Sequence, residues 1–293
     1  MKSDIKNLIG REKIVITDGA MGTYLTLLGY KGKIPETANL SNPEIIEKIH
    51  QDYISAGAEI ILTNTFGANK PRLLKHKLET KLEEINKIGV KIALKIKMEN
   101  TNVLIAGDIG PTGEILQPYG SLSKEEAINI FLQQGKILQD NGVDFILLET
   151  FTDLNELKIA YQTLKKHLSI FILPSFSLSP GKEYKTVMGQ SLEEIVKWVE
   201  TENVEVLGIN CGIGSSQMKE VIKRLVKLTN IPLWVKPNAG MPILKNGEVF
   251  YPESPDEFSE NCLEMVKSGV KFIGGCCGTT PSYIAFIHKT LSR

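Results

Sequence analysis

Several residue types are scarce in this 293-residue chain, and each scarcity excludes something. There are four cysteines and four histidines, too few for a disulfide scaffold or a histidine-rich metal centre. No apolar run approaches the roughly 20 residues needed to cross a bilayer as a helix. No sign of charge dominates: 34 basic residues face 34 acidic ones, so there is no basic footprint for nucleic acid or an anionic membrane. The lysines that cluster over residues 70–98 are interleaved with glutamates and read as solvated helix. GxSxG, P-loop and HExxH signatures are all missing. Low-complexity segments, Gly/Ser linkers and internal repeats are missing too, which points to one domain over residues 1–293. The opening stretch MKSDIKNLIGREK is too polar for a secretory signal. A cytoplasmic, reducing setting is therefore expected, where cysteines serve catalysis or metal binding more often than disulfides.

Present instead is a rhythm. Apolar, β-rich runs recur near residues 14–18, 59–65, 103–109, 144–150, 170–177, 205–211, 232–238 and 271–277. Each is nearly continuous in apolar residues, as parallel strands buried on both faces require. Helical signals fill the gaps. Asn42-Pro43 opens a helix that Gly57 stops. Ser123 with Glu126 and Ser191 with Glu194 form capping boxes, and Pro281 begins a last helix. Eight such units predict an α/β fold, a closed (β/α)8 TIM barrel; an open doubly wound sheet is the alternative. In a barrel the site lies at the C-terminal ends of the strands. The polar residues there are Asp18, Asn64 and Thr65, Asp108, Glu149, Ser177, Asn210 and Cys211, Asn238, and Cys276 with Cys277.

Cys211 and the pair Cys276–Cys277 close the sixth and eighth strands, only two strand spacings of about 4.8 Å apart. Neighbouring residues of a regular strand point to opposite faces, so two adjacent sulfurs share an ion only if the backbone bends. Gly274, Gly275 and Gly278 allow that bend. Three thiolates with a fourth position open make a catalytic type of zinc site, and soft sulfur favours Zn2+ over Mg2+ or Ca2+. A substrate thiol in the fourth position would lose its proton. Cys262, with Phe258, Met265 and Val266 at helical spacing, reads as core. His50, His76, His167 and His288 fall in helical segments, away from every strand end.

The motifs DGAMGT (18–23), TNTFGAN (63–69), GDIGPTGE (107–114), ETF (149–151), INCG (209–212), KPNAG (236–240) and GGCCGTTP (274–281) cover almost the whole chain. In this order they resemble the homocysteine S-methyltransferase family, most of all the homocysteine-binding module of its cobalamin-dependent methionine synthases. The resemblance implies a barrel that binds L-homocysteine as a zinc thiolate and methylates it to methionine. It makes Cys211, Cys276 and Cys277 the Zn2+ ligands and gives the substrate ammonium to Asp18 and Glu149. The carboxylate then falls to the backbone N–H groups of Gly19, Ala20 and Met21, and Asn238 fills the open metal position when substrate is away. Asp108 and Thr112 are candidates for orienting substrate or donor, although Gly-Pro-Thr-Gly is equally a plain turn.

Gly67 stands where betaine-using members carry a tyrosine, and their long C-terminal arm is missing, so betaine is a poor donor. The expected donor is methylcobalamin, or methyltetrahydrofolate through it, on a cobalamin-carrying partner. The alternatives are a self-contained S-methylmethionine- or S-adenosylmethionine-dependent enzyme, a homocysteine-binding module with no complete reaction, and a barrel of other chemistry with structural zinc.

Overall fold

The eight expected strands form in a computed structural model that describes residues 4–181, 183–245 and 247–292. They are β1 (Val15–Ile16), β2 (Ile60–Leu62), β3 (Leu104–Ile109), β4 (Phe145–Phe151), β5 (Phe171–Phe176), β6 (Leu207–Gly214), β7 (Leu233–Asn238) and, after a two-stranded excursion of β8 (Ile243–Lys245) and β9 (Glu248–Phe250), β10 (Val270–Ile273). The barrel strands are all parallel, in the order β1-β10-β7-β6-β5-β4-β3-β2. The two ends of that order meet. Thr17 bridges Ile60, the Asp18 N–H donates to the Ile60 carbonyl at 3.0 Å, and the Glu59 N–H to that of Ile16 at 2.8 Å. This closure makes a TIM barrel and excludes the open sheet.

Each strand alternates between two cores, and this is why its sequence is apolar throughout. Ile105, Ile146 and Leu148 face the helices. Leu104, Ala106, Phe145, Leu147, Trp234 and Phe272 face the barrel axis, joined by Ile5 and Leu8 of a short helix, Ile5–Ile9, that the sequence reading did not expect. Trp234 is the centre of this inner layer, edge-on to Phe145 at 6.0 Å and tilted against Phe272 at 5.4 Å. Two residues further along the strands, the inward positions become polar: Asp108, Glu149 and Lys236. The barrel is thus filled with apolar side chains up to its mouth, where charge begins.

The helices form where their signals lie. Pro43–Ser55 begins after Asn42, and both capping boxes are made, at Ser123 and Ser191. The last helix is Pro281–Leu291. Several strands are shorter than expected: β2 stops at Leu62 and β10 at Ile273, so Thr63–Thr65 and Cys276–Cys277 lie in the loops beyond. His76 sits in a turn after the helix Lys70–Leu74, not within a helix. Among the described residues no helix is long and apolar enough to cross a membrane.

His50 is fully buried in the helix Pro43–Ser55, and neither ring nitrogen has a hydrogen-bond partner. Burial lowers its pKa to about 4. The folded state therefore holds a neutral imidazole that the unfolded chain protonates below about pH 6.5. Stability from this group is intact above that value and is lost progressively as pH falls to about 4, on the order of 3 kcal/mol in total. His50→Leu should remove this loss. Denaturant midpoints of the variant and wild type should diverge in the variant's favour between pH 6.5 and 4; parallel curves would refute the assignment.

Candidate active site

The C-terminal mouth holds a cavity of about 330 Å³. Its sulfur wall comes from a break within β6 and from the turn beyond β10. Cys211 lies within β6 where the register with β7 breaks between Asn210 and Gly214. Its φ is +58°, the left-handed region, and Gly212 follows at +75°. A non-glycine residue there costs about 1–2 kcal/mol, and the turn aims the thiol into the mouth instead of along the sheet. Thr150, next to Glu149, is likewise left-handed at +61°. Asn210 braces both departures. Its Oδ1 accepts from Thr150 N–H (2.9 Å) and Ser175 Oγ (2.6 Å), and its Nδ2 donates to Thr150 Oγ1 (2.6 Å). The same Nδ2 lies 3.9 Å from Cys276 Sγ.

Cys276 and Cys277 occupy the turn beyond β10. The backbone is held on both sides: Cys276 N–H donates to the Pro237 carbonyl at 2.8 Å, Ala239 N–H to that of Cys277 at 2.9 Å, and Gly275 N–H to that of Asp18 at 3.1 Å. Thr279 closes the turn through its Oγ1 on the Cys276 carbonyl at 2.7 Å. The expected bend is therefore real, and it starts at Gly274, two residues before the first cysteine.

The three sulfurs lie within 4.8 Å of one another, and Cys211 Sγ is 3.8 Å from Cys277 Sγ. Thiolates 2.3 Å from a tetrahedral zinc stand about 3.8 Å apart, so the donor set fits that ion in type and spacing. Left to themselves the thiols keep their protons: its hydrogen bond with Cys211, together with burial, pushes Cys277 up to about 12. Cys211 is raised as well, first by Cys276 and also by burial. A soft divalent cation must displace these protons, so its hold strengthens as pH rises. Tyr251 follows the β8–β9 hairpin, and burial, then the charge of nearby Cys277, raises its phenol above the usual range.

The same cavity also has a carboxylate wall. Asp18, Glu149 and Asp108 are each more than nine-tenths buried. Among them lies Lys236, 2% exposed, its Nζ 2.8 Å from Asp18 Oδ1 and 3.5 Å from Glu149 Oε1. Burial alone would lower the Lys236 pKa, but the charges of Asp18 and Glu149 outweigh it and hold the ammonium protonated. Burial, then the charge of Glu149, pushes Asp108 well above the usual carboxylate range. Burial also raises Asp18 and Glu149, and Lys236 opposes it in both.

The remaining expected residues divide. Gly19, Ala20 and Met21 line the cavity, but the Ala20 N–H already donates to Thr279 Oγ1 at 3.1 Å, so it is not available to a carboxylate as expected. Asn238 ends β7, buried, with Oδ1 unpartnered; it stands outside the cavity lining. Thr112 is a turn residue: its N–H and Oγ1 both donate to Glu156 Oε1, at 2.8 and 2.6 Å. Cys262 is wholly buried in the core. Sequence reasoning passed over Lys236, although it stands at an inward position two residues after Trp234. It also passed over Glu36, a buried carboxylate that lines the cavity and accepts from Gly67 N–H.

The sulfur triad and the buried carboxylates thus line one cavity at the barrel mouth. The family model described as homocysteine S-methyltransferase matches residues 15–291. The chain belongs to the homocysteine S-methyltransferase family. It is thus a member of a family of methyltransferase enzymes. It is 30% identical over 301 residues to a methionine synthase of Mycobacterium leprae, covering 96% of this chain and 24% of that protein. A methionine synthase of Mycobacterium tuberculosis is also 30% identical, over 297 residues, with 96% and 25% covered. The chain therefore spans about a quarter of the length of these relatives. Among solved structures it is similar to the metallated form of the homocysteine methyltransferase MmuM from Escherichia coli, with a TM-score of 0.81 and 25% identity over 97% of this chain and 99% of that one.

Proposed function

We propose that the mouth cavity binds L-homocysteine and that the chain transfers a methyl group to its thiol, giving L-methionine. The observation that carries this reading is the convergence of Cys211, Cys276 and Cys277 on one point beside a buried carboxylate cluster. One wall suits a soft metal and a sulfur; the other suits an ammonium. When bound, a thiolate-held zinc supplies the Lewis acidity that lets a substrate thiol give up its proton at neutral pH. The chain's own residues do the orienting. The wall built of Asp18, Glu149 and Asp108, with Lys236 among them, receives the amino end. The N–H groups of Gly19 and Met21 face the substrate carboxylate, and Asn238 supports the sulfur side from the end of β7. The amino acid is thereby held with its sulfur toward the cysteines and toward the open mouth, where the methyl donor enters. In the transfer the sulfur gains the S–CH3 bond, the donor loses its bond to that carbon, and the thiol proton leaves to solvent.

Methylcobalamin on a partner domain or protein is the donor favoured by the match to methionine synthases about four times as long. A self-contained enzyme using S-methylmethionine or S-adenosylmethionine is the second reading, favoured by the end-to-end likeness to the E. coli homocysteine methyltransferase. A donor panel with zinc quantified in the same sample separates them. Methionine should form from homocysteine and methylcobalamin at about one zinc per chain. Turnover with a sulfonium donor would select the second reading, and methionine from no donor would refute methyl transfer by this chain. Homocysteine binding should release close to one proton at neutral pH, read by calorimetry in buffers of different ionisation heat.

A further inference from the structure

We propose that Lys236 is a positioning residue for the substrate's amino group: it commits Asp18 to a buried ion pair and so leaves Glu149 and Asp108 as the ammonium seat. This rests on the reading of the cavity as a homocysteine site and divides the work within it. Both oxygens of Asp18 are occupied. Oδ1 takes the Lys236 ammonium at 2.8 Å, and Oδ2 takes the Leu62 N–H at 2.7 Å. The other two carboxylates are not satisfied in this way. Asp108 Oδ1 and Glu149 Oε1 are buried without a hydrogen-bond partner; the 3.5 Å from Lys236 Nζ to Glu149 Oε1 is beyond good hydrogen-bond length. Both residues line the cavity. A buried acceptor left unmade is unfavourable, and a primary ammonium brings three donors to such a place.

Charge leads to the same division. Asp18 and Glu149 against one lysine leave the wall short of positive charge, which one substrate ammonium restores. Removing Lys236 would strand Asp18 as a buried anion without its partner, a strongly destabilising change. Asp18 would then compete for the incoming ammonium and draw it away from the seat.

The test uses the zinc-loaded protein and two probes: homocysteine, and 4-mercaptobutanoate, which keeps the thiol and carboxylate but has no amine. Calorimetry gives their affinities, and zinc content is measured alongside. Lys236→Met should keep its zinc, bind homocysteine about tenfold to a hundredfold more weakly, and bind 4-mercaptobutanoate as wild type does. Unchanged or tighter homocysteine binding would overturn the proposal, because Lys236 would then be a mere competitor for the seat. If that variant does not fold, Lys236→Met combined with Asp18→Asn restores the charge balance of the pair. The double variant should recover most of the preference for homocysteine; loss of that preference would place Asp18 in the seat and overturn the proposal. Asp108→Asn should erase the preference with zinc retained, and a preserved preference would equally overturn it. Wild-type protein that binds both probes alike would sink the reading of the cavity, and this division with it.

Discussion

Cys276→Ser should leave the barrel folded while zinc retention and methyl transfer are lost. The two halves of this expectation rest on different atoms of the same residue. The fold uses the Cys276 backbone, whose N–H is bonded to Pro237 and whose carbonyl is bonded to Thr279; a serine keeps both bonds. The sulfur touches little that is structural, its nearest donor being Asn210 Nδ2 at 3.9 Å. Stability should therefore change by no more than about 1 kcal/mol. The metal loses one of three soft anionic ligands and gains a hydroxyl that does not ionise near neutrality. Zinc affinity should fall by more than about 100-fold, since changes one shell further out already reach that size. Zinc content after dialysis, circular dichroism and methionine formation on one preparation check it. A folded variant with wild-type zinc and activity would remove Cys276 from the ligand set.

Gly274→Val should do the opposite and unfold the barrel at its seam. Gly274 follows β10, and its N–H donates to the Val235 carbonyl at 3.1 Å. A Cβ there would overlap Thr17 Oγ1 and stand 2.6 Å from the Asp18 carbonyl oxygen. The obstacle is largely the backbone of the neighbouring chain segment, which cannot swing aside as a flexible side chain would. Relief requires β1 and β10 to part, giving up the pairs Val15 with Phe272 and Ile16 with Ile273. A loss of about 4 kcal/mol or more is expected, read as a collapse of the denaturant midpoint or of soluble yield. Gly10→Ala is the control: nothing lies closer than 3.8 Å to its added Cβ, and its midpoint should barely move. A stable Gly274→Val protein would show that the seam is looser than these distances imply.

The barrel was legible because its strands are buried on both faces, which writes an unbroken apolar run into each. The sulfur triad was legible for a related reason: a polar or sulfur residue stands out at the end of such a run. The β8–β9 hairpin was not read, because Leu244 and Val249 are exposed and contribute no buried period. In the sequence alone, an Asn-Gly dipeptide between two apolar stretches is a hairpin signal. Lys236 is hidden in the sequence by Asn238, the last polar residue of the same strand. Counting by twos from Trp234 reaches the lysine first. The left-handed turn at Cys211 had no local signal at all, since cysteine does not favour that conformation; only the surrounding bonds of Asn210 and the next glycine hold it.

The seam between the first and last barrel strands has a consequence for synthesis. Asp18 and Ala20 are held by Gly275 and Thr279, more than 250 positions later in the chain. A nascent polypeptide on the ribosome can pair its inner strands early, yet its mouth cavity does not exist until the last barrel strand has emerged and docked against the first. Partial translation products should therefore be inert toward homocysteine, however much secondary structure they have gained.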